Sequence, residues 1–387
     1  MLSLAKTLHA ATHESKRLCL ISKSPRNIGG TVLCVVALTV SDMRPLREEM
    51  ERRRISHAAD TPRAVKQELG QYFTPGHIAD FMAALFPKED RQEIKMLDPG
   101  AGIGILSCAL SERITAEKWH VGKVSVDAYE IDGNLVGELR SNLEKALDCI
   151  GGDANVISGD FLTSIANEMQ NGVLPRYTHV IMNPPYKKIR AESKERKAAR
   201  AFGLETVNLY TAFMGAAIVA TVDGGHIVAI VPRSFCNGTY YKPFRQFMLD
   251  RCAIERIHLF ESRNTAFKDE SVLQENIIVL LRKNSPQGNV VVSHSTDGSF
   301  QDVKVQTYPF DAIVTCEDSE HYINIPYGDE KIADSRFDAF RATLGDLGLH
   351  VSTGAVVDFR TKDSLCKDVE PDCVPLLYSV HFRNNRV

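Results

Sequence analysis

An α/β fold built on a doubly wound, mostly parallel seven-stranded sheet is predicted by two features of the sequence. Apolar runs of strand length alternate with segments of helical period, an alternation that yields parallel strands with helices on both faces. The unusual short motifs also fall at the carboxyl ends of those runs, where an open α/β sheet holds its ligand.

The first organised segment spans residues 71–86. YFTP precedes Ile78, Phe81, Met82, Leu85 and Phe86 at helical spacing, with Thr74 placed to cap the helix and Pro75 in its first turn. Ile94–Leu97 then ends at DPGAGIG, and Val124–Glu130 ends at YEID before a helix carrying Leu135, Leu139, Leu143 and Leu147. Val156–Asp160 ends at GDF and His179–Met182 at NPPY; His226–Val231 follows an Asp223-Gly224-Gly225 turn. Arg256–Phe260 and Asn276–Leu281 complete the seven strands, after which Val290–Val292 and Ile313–Ile325 read as strand-like and Ser335–Leu347 as helical.

With 387 residues, 44% hydrophobic and 25% charged, the chain has the balance of a globular protein of one large or two modest domains. Lys+Arg number 46 against 49 Asp+Glu, a net charge of -3, which excludes a bulk polycation but allows a local basic face. Nine scattered cysteines with no C-x-x-C pair argue against a disulfide framework or zinc ribbon and for a reducing cytoplasm. The most apolar run, Gly30–Val40, is shorter than the ~20 residues of a membrane-spanning helix. Lys16, Arg17, Lys23 and Arg26 precede it in the manner of a signal peptide, but no small-x-small cleavage site clearly follows. Its valines suit a buried strand equally well.

The strand ends carry the chemistry. Gly100, Gly102 and Gly104 let backbone pass close to a ligand and present N–H groups to negative charge. Many nucleotide folds use such a turn. Glu130, at the end of the next strand, can accept both hydroxyls of a ribose, or be a solvated glutamate. Asp160 can accept an adenine amino hydrogen while Phe161 covers the base; the alternative is a helix cap followed by a core phenylalanine.

Asn183-Pro184-Pro185-Tyr186 is the most informative element. Two prolines after a strand fix a rigid extended turn. The Asn183 side-chain carbonyl and the Pro184 backbone carbonyl can both accept hydrogens from one NH2 group, and Tyr186 offers a flat face for a planar substrate. Such acceptors favour a pyramidal nitrogen whose lone pair turns toward an electrophile. Residues 187–200 follow with seven Lys/Arg against two Glu, a solvated helix face or a phosphate-neutralising surface. Lys187, Lys188 and Arg190 belong to it, and Arg233, Lys242 and Arg245 extend it, with Tyr240 and Tyr241 interleaved.

In this order the elements resemble the gamma class of DNA adenine-N6 methyltransferases from bacterial restriction–modification systems, from about Leu69 to Phe359. GQYFTP is similar to that family's first cofactor motif, DPGAGIG to its S-adenosylmethionine loop, YEID and GDF to its ribose and adenine positions, and NPPY to its catalytic motif. NLYTAF and AFKDESVLQEN resemble the later motifs. The resemblance implies a class I, Rossmann-like fold and an S-adenosylmethionine site at Tyr72, Thr74, Pro75, Asp98, Gly100, Gly102, Gly104, Glu130, Ile131, Asp160 and Phe161. It implies catalysis by Asn183, Pro184, Pro185 and Tyr186, with Phe267 helping to hold a flipped adenine, and no metal. The implied partners are double-stranded DNA and a cognate restriction endonuclease acting on the same site, with the enzyme a cytoplasmic monomer.

Residues 1–60 read as a poorly assigned extension, 61–345 as the catalytic domain, and 346–387 as the start of a truncated target recognition domain. VSTGAVVDFR and VPLLYSVHFRNNRV look like that opening. Two rival readings remain: a protein-glutamine or RNA N-methyltransferase, and a catalytically silent modification subunit that needs a specificity partner.

Overall fold

The structure is a computed structural model that describes residues 44–60, 73–261, 275–326, 342, 344–350, 361–366, 374 and 376–381. Gly30–Val40, Tyr72, Phe267 and most of Ser335–Leu347 lie outside the described residues. The chain divides into two compact units, Met1–Ile332 and Ala333–Val387. The described residues of the second include short 3-10 turns at Lys362–Ser364 and Ser379–His381.

The first unit begins with α1 (Arg44–Asp60) and α2 (Gly76–Leu85). Strands and helices then alternate: β1 (Arg91–Pro99), α3 (Ile105–Ala116), β2 (Val121–Glu130), α4 (Val136–Asp148), β3 (Asp153–Ser158), α5 (Phe161–Gln170) and β4 (Tyr177–Met182). After them come α6 (Lys194–Ala201), α7 (Leu209–Ala220), β5 (Thr221–Pro232), α8 (Lys242–Leu249), β6 (Cys252–Phe260), β7 (Asn276–Lys283), β8 (Val290–Ser295) and β9 (Lys304–Tyr308).

These strands form one sheet in the order β3-β2-β1-β4-β5-β7-β6-β8-β9. It has nine strands, not seven. The strands from β3 to β5 run parallel, β7 lies antiparallel between β5 and β6, and β9 runs antiparallel to β8. The strand-like expectation for Ile313–Ile325 fails. Asp318 accepts the backbone N–H groups of Glu320 (2.9 Å) and Tyr322 (2.8 Å) and closes a turn there, a regular use of aspartate in place of sheet pairing.

Alternation along the strands places side chains on two cores. Leu97, Val180 and Ile227 face the layer of α5, α7 and α8, while Met96, Ile181 and Val228 face α2, α3 and α4. All six are fully buried, and each such aliphatic side chain contributes about 1.5–3 kcal/mol on leaving water.

α1 falls inside the stretch read as a poorly assigned extension, yet it packs on the sheet's helical layer. Met50 is buried in that core, and Arg47 donates to the carbonyls of Ile105 and Gly76 at 3.2 Å each. The helix α2 starts one residue later than expected. Pro75 occupies the N-cap without a side-chain cap bond, and the Gly76 N–H instead reaches Glu51 of α1 at 3.3 Å. Thr74 is therefore not a cap.

Candidate active site

Strand order reverses between β1 and β4, so their carboxyl ends diverge and open a crevice. A cavity of about 280 Å³ lies there. It is lined by Gly100–Ile103 after β1, Tyr129–Ile131 at the end of β2, Gly159–Leu162 after β3, and Asn183 and Pro185 after β4. Phe73 and Thr74 line it from the segment before α2. Pro184 is buried beside Pro185.

The glycine turn is bound to β2 along its length. The amides of Gly100 and Ala101 both donate to the Tyr129 carbonyl, at 2.9 and 2.8 Å. Gly102 N–H donates to Glu130 Oε2 at 2.7 Å, and Asp132 N–H to Glu130 Oε1 at 2.7 Å. Gly100, Gly102 and Gly104 have φ of 74, 57 and 87°, the left-handed region that disfavours residues with a Cβ. A Cβ on Gly102 would also stand 3.3 Å from the Phe73 ring. Burial raises the Glu130 carboxyl against the opposing effect of those two amides.

Asp98 sits beneath this turn, fully buried. Its Oδ2 accepts the Ser107 hydroxyl at 2.5 Å, while Oδ1 has no hydrogen-bond partner. Burial, only partly offset by Ser107, pushes its pKa up to about 7.

Asp160 combines the two readings made from its sequence. Its Oδ1 caps α5 by accepting Thr163 N–H at 2.9 Å, and the residue still lines the cavity. Phe161 is buried in contact with Tyr129 and Phe213, with ring centroids 5.2 and 5.1 Å apart. Lys194 Nζ lies 2.9 Å from Asp160 Oδ2. Burial opposes ionisation of Asp160, but Lys194 and the Thr163 amide hold its carboxyl below the ordinary value.

Asn183 is positioned by residues far apart in sequence. Its Nδ2 donates to Thr74 Oγ1 at 3.1 Å, and the Tyr186 hydroxyl lies 2.9 Å from Asn183 Oδ1 and 3.1 Å from the Ile230 carbonyl. The Tyr186 ring meets Tyr210 edge-on at 6.3 Å. Thr74, expected to cap a helix, thus orients the asparagine amide.

The basic candidates separate. Lys187, Lys188 and Arg190 are exposed, and Lys187 lines the cavity. Arg233 lies 3.7 Å from Glu275, and Lys242 pairs with Glu320 at 2.8 Å. Arg245 is no part of a basic face: fully buried, it donates to the carbonyls of Phe235 (3.0 Å), Gly238 (2.7 Å) and Glu320 (2.9 Å). Arg196 and Arg200 both clasp Glu205, which reduces the charge that the basic run presents to solvent.

The sequence reading missed Phe73, Ile103, Leu106, Leu209 and Phe213 as cavity residues. Phe73 and Ile103 were visible as neighbours of Thr74 and of the motif glycines; Leu106, Leu209 and Phe213 look like ordinary helix-core positions until the fold brings the cavity to them.

Residues 134–267 match the family model described as Eco57I restriction-modification methylase. The chain is 43% identical over 323 residues to the type II methyltransferase M.BsuBI of Bacillus subtilis and 36% identical over 327 residues to M.PstI of Providencia stuartii. Each alignment covers 82% of this chain and 64% of the relative, so the chain spans less than two thirds of their length. A Listeria monocytogenes protein assigned to the class I S-adenosylmethionine-dependent methyltransferases superposes with a TM-score of 0.52 at 17% identity, over 66% of this chain and 73% of that one. By sequence the chain is similar to type II restriction–modification methyltransferases over most of its own length, and its sheet is similar in fold to that of a class I methyltransferase.

Proposed function

We propose that this chain transfers a methyl group from S-adenosylmethionine to N6 of an adenine rotated out of double-stranded DNA. One observation carries the reading: Asn183 and Pro185 line the same cavity as the glycine turn, Glu130 and Asp160. A donor held at the turn and an amine held at Asn183 would therefore share one enclosed space.

The residues fit the cofactor. At Gly102 the backbone has positive φ and a Cβ would crowd the Phe73 ring at 3.3 Å, which suits close backbone approach to a ligand. Beneath the turn, the buried Asp98 Oδ1 has no hydrogen-bond partner. Tyr72, Thr74, Pro75 and the glycine turn would hold the amino-acid end, Glu130 and Ile131 the ribose, and Asp160 and Phe161 the adenine. When bound, the cofactor supplies a methyl group on a sulfonium centre.

Asn183 Oδ1 and the Pro184 carbonyl would accept the two N6 hydrogens, which draws the nitrogen lone pair out of conjugation and toward the electrophile. Tyr186 and Phe267 would sandwich the purine ring. The proton that N6 gives up on methylation would pass to water. Extrusion is needed because N6 is paired in the duplex, and unstacking costs a few kcal/mol that pocket contacts offset. Lys187, Lys188 and Arg190 would meet phosphates at the cavity mouth, with Arg233 and Lys242 nearby. The enzyme would work as a monomer in the bacterial cytoplasm, beside an endonuclease that cuts the same site.

The test is incubation of the protein and cofactor with DNA, RNA or glutamine-bearing protein, followed by mass spectrometry of the digested products. N6-methyladenine in DNA alone is the expected result. Methylation confined to RNA or protein would overturn the proposal.

A further inference from the structure

Away from the carboxyl ends of the strands, a second group of side chains has the composition of a metal site. His179 is the third residue of β4, His226 lies beside it in register on β5, and Glu89 comes from the loop between α2 and β1. One ligand atom from each lies within 4.8 Å of the others. Both imidazoles are buried, at 0% and 1% exposure.

Thr178 Oγ1 accepts Lys95 N–H at 3.0 Å and lies 3.2 Å from the Lys95 carbonyl and 2.9 Å from His179 Nδ1. His179 Nδ1 is thus engaged by a hydroxyl, while Nε2 has no hydrogen-bond partner. A ring held in this way through its far nitrogen is the usual form of a metal-binding histidine.

His226 faces two carboxylates, with Nδ1 at 3.4 Å from Glu89 Oε1 and Nε2 at 3.6 Å from Glu255 Oε2. A neutral imidazole has one N–H, so one of its nitrogens meets a carboxylate lone pair to lone pair. Nδ1 has no hydrogen-bond partner. Glu89 is held through Oε2 by Arg91, which leaves Oε1 toward the histidines. Arg91 and Arg113 bring positive charge nearby; Arg113 is turned to Glu117 and to the carbonyls of Ala83 and Phe86.

We propose that Glu89, His179 and His226 bind one divalent transition-metal ion of the zinc type, through Glu89 Oε1, His179 Nε2 and His226 Nδ1. Two imidazoles and a carboxylate suit Zn²⁺ and Co²⁺ rather than Mg²⁺ or Ca²⁺. Metal–nitrogen bonds of about 2.0–2.1 Å set ligand atoms roughly 3.3 Å apart in a tetrahedron, so the three groups close inward slightly on the ion. The ion would tie the loop before β1 to β4 and β5, away from the cavity at the strands' carboxyl ends.

The full chain is stripped with a chelator, titrated with Zn²⁺ or Co²⁺, and desalted for metal analysis. We expect one retained equivalent, a Tm raised by several degrees, and visible d–d bands of four-coordinate Co²⁺ without the thiolate charge-transfer absorption that a surface cysteine would add. His226→Gln and Glu89→Gln should each lose the retained ion and the Tm rise. If His226→Gln fails to fold, Glu89→Gln at the rim still decides. No retained metal, or a Tm rise that persists in Glu89→Gln, would overturn the site.

Discussion

Burial gives Asp98 a pH signature of its own. Its carboxyl titrates near 7 in the fold instead of at its ordinary 3.8. Between those values the unfolded chain releases a proton that the folded chain keeps. Stability from this group is therefore full below about 3.8, falls as pH rises, and levels off above about 7. Glu112, pushed up to about 7 by burial, follows the same sign, whereas His179 and His226, depressed by burial, oppose it. A difference measurement isolates Asp98. The Tm of Asp98→Asn minus that of the wild type should climb from pH 4 to pH 7 and then flatten; a level difference across that window would contradict the burial argument. The sequence placed Asp98 at a strand end but gave no sign of its depth, because depth comes from neighbours such as Ser107 that arrive only with the fold.

The glycine turn shows what an element can reveal in advance. Three glycines at alternate positions predict backbone that passes close to a ligand, and all three adopt positive φ. Gly104→Ala should destabilise the protein by at least about 1–2 kcal/mol in urea unfolding, since its Cβ would also stand 2.9 Å from Leu139 Cδ1. Gly133→Ala, with nothing within 4 Å of its Cβ, should change stability by less than about 0.5 kcal/mol. Equal effects at the two positions would mean that the turn is not constrained as described. Elsewhere local patterns misled. KVQTY has too few apolar residues to announce β9, which exists because β8 offers an edge. Ile313–Ile325 has apolar ends, but Asp318 turns the chain between them. α1 is so rich in charge that its sequence does not announce the docking made by Met50 in the core and Arg47 on the carbonyls of Ile105 and Gly76.

At the scale of the whole molecule, the order of the motifs determined which strand ends would meet, and the reversal between β1 and β4 brought them to one cavity. Charge was less legible, because a basic letter does not disclose its partner. Lys187, Lys188 and Arg190 face solvent, whereas Arg245 is spent on three carbonyls. Changing the three exposed residues together to alanine should weaken DNA binding and flatten the dependence of log K on log salt by roughly 0.9 per lost phosphate contact. Arg245→Ala should leave that slope unchanged and lower stability instead, by roughly 3–5 kcal/mol if its loss behaves like a broken buried charge cluster. Filter binding over a salt series, paired with urea unfolding, separates the two outcomes.

Asn183→Ala examines the shared cavity most directly. With tritiated S-adenosylmethionine and DNA, the variant should show transfer reduced by at least about a hundredfold, the scale of losing a group that acts on the reacting atoms. Calorimetric affinity for S-adenosylmethionine should stay within a few-fold of the wild type. Methyl incorporation at the wild-type rate would contradict the placement of the amine at Asn183.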